Sequence, residues 1–116
     1  MMLSKFHIYL YGSNQGPIAS SFDESRERLE ALPGLFFEMD GSFAWMREVG
    51  CDEVYGILYD ADDTVQYCDL HGSCSCSTFR ELCSAISGGN LSELEVLRLP
   101  EQHLQDFQSF ALWLSQ

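Results

Sequence analysis

The sequence predicts an α+β domain: a mainly antiparallel sheet of about six strands with three helices, in the order β-α-β-β-β-β-α-β-α. Three observations lead there. Two acidic turns, around Asp40-Gly41 and Asp60-Ala61-Asp62-Asp63, each separate apolar runs of strand length. Helix-start signals precede apolar stripes of helical period at two other places. No repeat, low-complexity tract or linker interrupts the 116 residues, so 1–116 is expected to be a single domain.

In chain order, "KFHIYLYG" (5–12) is aromatic and apolar between polar flanks, which suits a strand ending at Gly12. Ser21 with Glu24 fits a capping box, and Phe22, Leu29 and Leu32 supply the stripe of a helix that Pro33 and Gly34 stop. "LFFEMDGSFAWMR" (35–47) is a hairpin. A two-residue Asp40-Gly41 turn pairs Met39 with Ser42, Phe37 with Ala44 and Phe36 with Trp45. That register puts Leu35, Phe37, Met39, Ala44 and Met46 on one face, and Phe36, Glu38, Phe43 and Trp45 on the other.

"DEVYGILYDADDTVQYCDLH" (52–71) repeats the device. Pairing Asp60 with Asp63 aligns Tyr55, Ile57 and Tyr59 with Cys68, aligns Val54 and Leu58 with Val65 and Tyr67, and sets His71 opposite Asp52. A second helix is expected from Ser77 or Thr78, with Thr78 and Glu81 as capping partners, Phe79, Leu82, Cys83 and Ile86 as its buried face, and Gly88-Gly89 as its stop. In "ELEVLRLP" (93–100) Ser92 and Glu95 offer a helix cap, but alternation and Pro100 favour a strand. From Pro100 to Ser115, Leu104, Phe107, Ala111 and Leu114 read as the stripe of a final helix with Pro100 at its first position. The first seven elements are similar in order to the TATA-binding-protein-like fold, a likeness that carries no function.

Charge narrows the partners. Six basic residues against 18 acidic ones give a net charge of -12, and no Lys or Arg stands between Glu48 and Phe79. A polyanion is repelled by such a chain, so neither direct nucleic-acid binding nor an anionic membrane surface is expected. "FHIYLYG" is too short for a spanning helix and lacks the flanks of a signal peptide. With five Cys, an odd number, free thiols in a reducing cytoplasm are expected rather than a disulfide framework.

Two groups of residues are candidate sites. The first is "HGSCSC" (71–76), where His71, Cys74 and Cys76 could ligate zinc, with Asp52, Asp69 or Cys51 as the fourth ligand. Cys83 stands outside that set, about 9 Å along the axis of a helix that begins near Ser77. A strongly activated thiolate is not expected at Cys76, because a helix N-terminus and the neighbouring carboxylates act in opposite directions. His71 between Asp52 and Asp69 has the flanking that orients an imidazole for base or ligand work, but no nucleophile is fixed beside it. "YDADDT" lacks the Gly and distant Glu of a calcium loop, and "GSNQGPIASS" lacks the Lys of a phosphate loop.

The second group is aromatic: Phe36, Phe43, Trp45, Tyr55, Ile57 and Tyr59, from hairpins apolar on both faces. Helices on both sides of the sheet would make these six residues core. Helices on one side would leave them as an exposed patch of the kind that marks a protein partner or a dimer interface.

The "FFEMDGSFAWMR" and "YGILYDADDTVQY" hairpins resemble those of a family of small, uncharacterised bacterial proteins, in an acidic-Gly turn followed by Trp and then Gly-x-Leu-Tyr-Asp. The resemblance implies a bacterial hypothetical protein without an assigned activity and carries no site residue. The functional expectation is a non-enzymatic acidic module that binds a protein partner or itself through an aromatic sheet face, without a cofactor. The alternative is a small metal- or thiol-dependent site at His71, Cys74 and Cys76, with Asp52 as a further metal ligand and zinc as the candidate ion.

Overall fold

Alternation decides the first strand. In β1 (Lys5–Tyr11) the side chains of Phe6, Ile8 and Leu10 are buried, while Lys5, His7, Tyr9 and Tyr11 point to the other face. The computed structural model describes residues 3–48 and 51–116. Within them follow β2 (Leu35–Phe37), β3 (Ser42–Glu48), β4 (Asp52–Ala61), β5 (Thr64–Ser73), β6 (Glu95–Arg98) and β7 (His103–Asp106). All seven strands join one antiparallel sheet in the order β2-β3-β4-β5-β1-β6-β7.

Three helices, α1 (Phe22–Glu30), α2 (Cys76–Ser87) and α3 (Phe107–Leu114), cover the face that carries Phe6, Ile8 and Leu10. Phe6 meets Phe79 of α2 and Phe110 of α3 edge-on, at 5.7 and 5.8 Å between ring centroids. Leu29, Leu82 and Ile86 complete the same buried cluster with Val54, Leu58, Val65, Leu70 and Val96. The α+β class and the antiparallel sheet are as the sequence predicts, with one strand more than expected. With every helix on one side, the other face of the sheet is left open. Among the described residues, no helix is long and apolar enough to cross a membrane.

The expected capping box starts α1: Ser21 Oγ accepts from the Glu24 N–H at 3.1 Å, and the Glu24 carboxylate accepts from the Ser21 N–H at 3.3 Å. The second helix starts earlier than Ser77. Ser75 is its N-cap, accepting from the Thr78 N–H at 3.2 Å, and Gly88 closes it in the left-handed conformation. Ser75 wins because Asp52 accepts from its N–H (3.3 Å) and from the Thr78 hydroxyl (3.0 Å), fixing the strand-to-helix junction.

The final helix is half the expected length. Residues 103–106 form β7, antiparallel to β6, and α3 starts only at Phe107, where Asp106 accepts from the Ser109 N–H at 2.7 Å. Leu104, expected in the helical stripe, instead faces Leu97 across the β6–β7 pair. The Asp106 cap outweighs the apolar periodicity read across Pro100–Ser115.

Both central hairpins depart from the expected register, and each departure exchanges side chains between faces. In the first, the Glu38 N–H bonds to the Ser42 carbonyl at 2.8 Å around a three-residue loop, so Phe37 pairs with Phe43 and Leu35 with Trp45. Gly41 has φ +96°, and a Cβ there would lie 2.6 Å from the Leu58 carbonyl oxygen, so only glycine fits. In the second, Asp62 and Asp63, both at positive φ, make the turn and Ala61 pairs with Thr64. A bulge then brings Tyr59 opposite Tyr67 and Leu58 opposite Cys68. Its cause lies outside the hairpin: Val65 bonds through its backbone to Ser20 and Ile18, which holds its side chain in the core.

Candidate functional site on the open sheet face

The corrected registers lay the open face out in three rows across the strands. The first runs Phe36, Ala44, Tyr55, His71, His7 from β2 to β1. The second runs Ser42, Ile57, Asp69, Tyr9, Leu97, Leu104 from β3 to β7. The third begins with Tyr59 opposite Tyr67 and continues to Tyr11, whose ring stacks on Tyr67 at 5.6 Å, and Glu95. All five tyrosines of the chain therefore stand on the face that no helix covers.

These rings pack on one another as well as on the strands. Tyr59 and Tyr67 stack at 4.7 Å, Tyr9 meets Tyr67 at 5.2 Å, and Tyr55 stacks on His71 at 5.5 Å. Mutual packing of this kind holds exposed aromatics in fixed orientations. Burial among neighbours, then the nearby tyrosines, raises the Tyr67 hydroxyl above its ordinary value, and the same two causes raise Tyr11. Both stay neutral, hydrogen-bonding phenols at physiological pH.

Asp69 sits at the centre of the rings. Its carboxylate is 20% exposed and accepts from His7 Nε2 at 2.9 Å. His7 and His71 are directly opposite across the β1–β5 pair, with rings 5.6 Å apart, and Asp69 lies two residues before His71 on the same face. One ligand atom from each of His7, Asp69 and His71 lies within 4.8 Å of the other two. Beside His71 a groove of about 410 Å³ opens, lined by Lys5, Glu53, Tyr55 and Ser73 among others.

The residues predicted from the sequence separate. Of the aromatic group, Phe36, Tyr55, Ile57 and Tyr59 lie on the open face, with Phe36 72% exposed. Phe43 and Trp45 are core: Trp45 is 1% exposed, donates its ring N–H to the Pro33 carbonyl at 2.9 Å, and shares its face with Leu35. The one-residue difference in register is the physical reason.

The proposed ligand set His71, Cys74, Cys76 and Asp52 is not brought together. His71 projects from the open face, Cys74 is buried among the core residues, Cys76 opens α2, and Asp52 is engaged with Ser75 and Thr78. Burial first, then Asp52 and Cys76, pushes the Cys74 thiol up to about 12, and burial holds Cys68 and Cys83 well above the usual thiol range. A thiolate at any of those three is strongly disfavoured.

No family model matches the chain, and no curated protein or solved structure matches it either. What it can do chemically is therefore argued from the face itself. Sequence reasoning missed Tyr9, Tyr11, Tyr67 and His7 as members of that face. The signal was present in "KFHIYLY", where His7, Tyr9 and Tyr11 alternate with Phe6, Ile8 and Leu10.

Proposed function

We propose that this chain is a non-enzymatic binding module that takes an Arg- or Lys-bearing segment of a partner protein on its tyrosine-lined sheet face. The observation that carries the reading is the gathering of all five tyrosines around Asp69 on the face the helices leave open. Aromatic rings held in place bind flat guanidinium groups and alkyl-ammonium groups through their π faces, and a carboxylate among them supplies the counter-charge. The patch continues into Phe36 and Met46 on one side and Leu97 and Leu104 on the other. Exposed aromatic and apolar side chains grouped on one sheet face are of the kind that marks a contact with another protein.

Charge selects the partner. A chain of net charge -12 repels nucleic acid and repels a second copy of itself, whereas a basic segment is attracted. Binding of a short Arg-rich peptide, set beside a Glu-rich peptide of equal length, tests this. The Arg-rich peptide should bind, more weakly as salt rises, and Tyr55→Ser with Tyr59→Ser should remove binding without changing the charge. Binding that survives that variant, or none by the wild type, overturns the reading. Self-association abolished by the same variant would assign the face to a second copy instead.

A further inference from the structure

The His7–Asp69–His71 group has a metal chemistry of its own on the same face. We propose that it is a binding site for one divalent transition-metal ion of zinc-like, borderline character, with the three side chains as ligands and the remaining positions open to solvent. Two imidazoles and a carboxylate are a donor set for zinc, nickel or copper, whereas calcium and magnesium take oxygen ligands.

The placement supports it. His7 and His71 are cross-strand partners on adjacent strands, and Asp69 is two residues from His71, so three ligands come from the middle of a rigid seven-stranded sheet. Their ligand atoms lie within 4.8 Å of one another, and His7 Nε2 and Asp69 Oδ1 are already 2.9 Å apart. Donors about 2.1 Å from a tetrahedral ion stand about 3.4 Å from each other, so modest side-chain rotations close the set. The ion would lie between His7 Nε2 and Asp69, with the His7 proton carried on Nδ1 so that the Nε2 lone pair is free to coordinate. Tyr55 stacks on the His71 ring and Tyr9 meets the His7 ring edge-on at 6.1 Å, which limits the orientations of both imidazoles. Strand placement also separates this site from the thiols: Cys74 lies in the core on the other side of the sheet.

Calorimetric titration of the full chain with zinc chloride at neutral pH tests the site. One ion should bind per chain, and His7→Ala and His71→Ala should each weaken it by about tenfold or more. Cys51→Ser with Cys76→Ser should leave the affinity unchanged. Copper(II) in place of zinc should show nitrogen hyperfine coupling in its electron paramagnetic resonance spectrum, lost in the double His7→Ala, His71→Ala variant. Both histidines are exposed, so their replacement leaves the core intact; Asp69→Asn, close in shape, should weaken binding in the same direction. No uptake by the wild type, uptake unchanged in the double histidine variant, or uptake lost in the thiol variant overturns the proposal.

Discussion

Tyr59 and Tyr67 stack at 4.7 Å with an interplanar angle of 18° on one side of the β4–β5 pair, while their chain neighbours Leu58 and Cys68 face each other in the core on the other side. That division runs through the sheet and sets the stability of its aromatics apart. Trp45→Ala, which empties a 1% exposed site and removes the bond to Pro33, should lower the unfolding free energy by about 3–5 kcal/mol. Tyr59→Ser, at a 40% exposed site, should lower it by about 1 kcal/mol, the value of one aromatic pair. Urea unfolding of the two variants compares them; equal losses would mean that the tyrosine face is packed like the core.

Asp52 is a structural carboxylate. It accepts from the Ser75 N–H and from the Thr78 hydroxyl, which is 2% exposed with the rest of its residue, so Asp52→Ala leaves two donors at the start of α2 without that acceptor. The variant should lose about 1–2 kcal/mol in thermal or urea unfolding. Its zinc uptake should equal that of the wild type; a loss of uptake with retained stability would return Asp52 to a ligand role.

The thiols divide by burial. Cys68, Cys74 and Cys83 are buried with raised values, whereas Cys51 and Cys76 are partly accessible, so a disulfide exchange reagent should modify two thiols quickly and the other three only on unfolding. In the unfolded chain those three thiols ionise near 8.5, but in the fold Cys74 holds its proton to about 12. Above about pH 8.5 the native state therefore binds more protons than the unfolded one, and stability should fall as pH rises toward 12. Melting temperatures measured across that range check the sign. A flat profile would mean that the three thiols are not protected.

The β4–β5 turn holds strain that can be removed. Asp62 and Asp63 sit at φ 51° and 65°, the conformation of a turn whose second position favours glycine. Asp63→Gly keeps the backbone carbonyl that accepts from the Phe22 N–H and should raise stability by about 0.5–1 kcal/mol in urea unfolding. A destabilised variant would locate the important contact in the Asp63 side chain.

Much of this molecule was legible in its residues, down to particular caps. Ser21 with Glu24, Gly88 after α2, and the alternating strand before Pro100 all hold in the structure, because each depends on neighbours within a few residues. The tertiary contacts were not legible. Asp52 chooses Ser75 as the cap of α2 from 23 positions away, and the backbone of residues 18–20 binds Val65 and forces the bulge. Each hairpin then differs in register, and Phe43 and Trp45 exchange faces relative to Phe36. His71 was found with Asp69 beside it, but with Asp52 opposite it in place of Tyr55 and without His7. Its partner His7 lies 64 positions away, and only the sheet order brings them together.

The central claim is that the open tyrosine face, and not the acidic surface in general, takes a basic protein segment. Mapping backbone amide shifts of the isotope-labelled chain during titration with an Arg-rich peptide tests it directly. The account predicts shifts concentrated at His7, Tyr9 and Tyr11 of β1, Tyr55 to Tyr59 of β4 and Tyr67 to His71 of β5, abolished by Tyr55→Ser with Tyr59→Ser. Shifts concentrated on α1, α2 and α3, or spread evenly over acidic positions and kept in that variant, would contradict it.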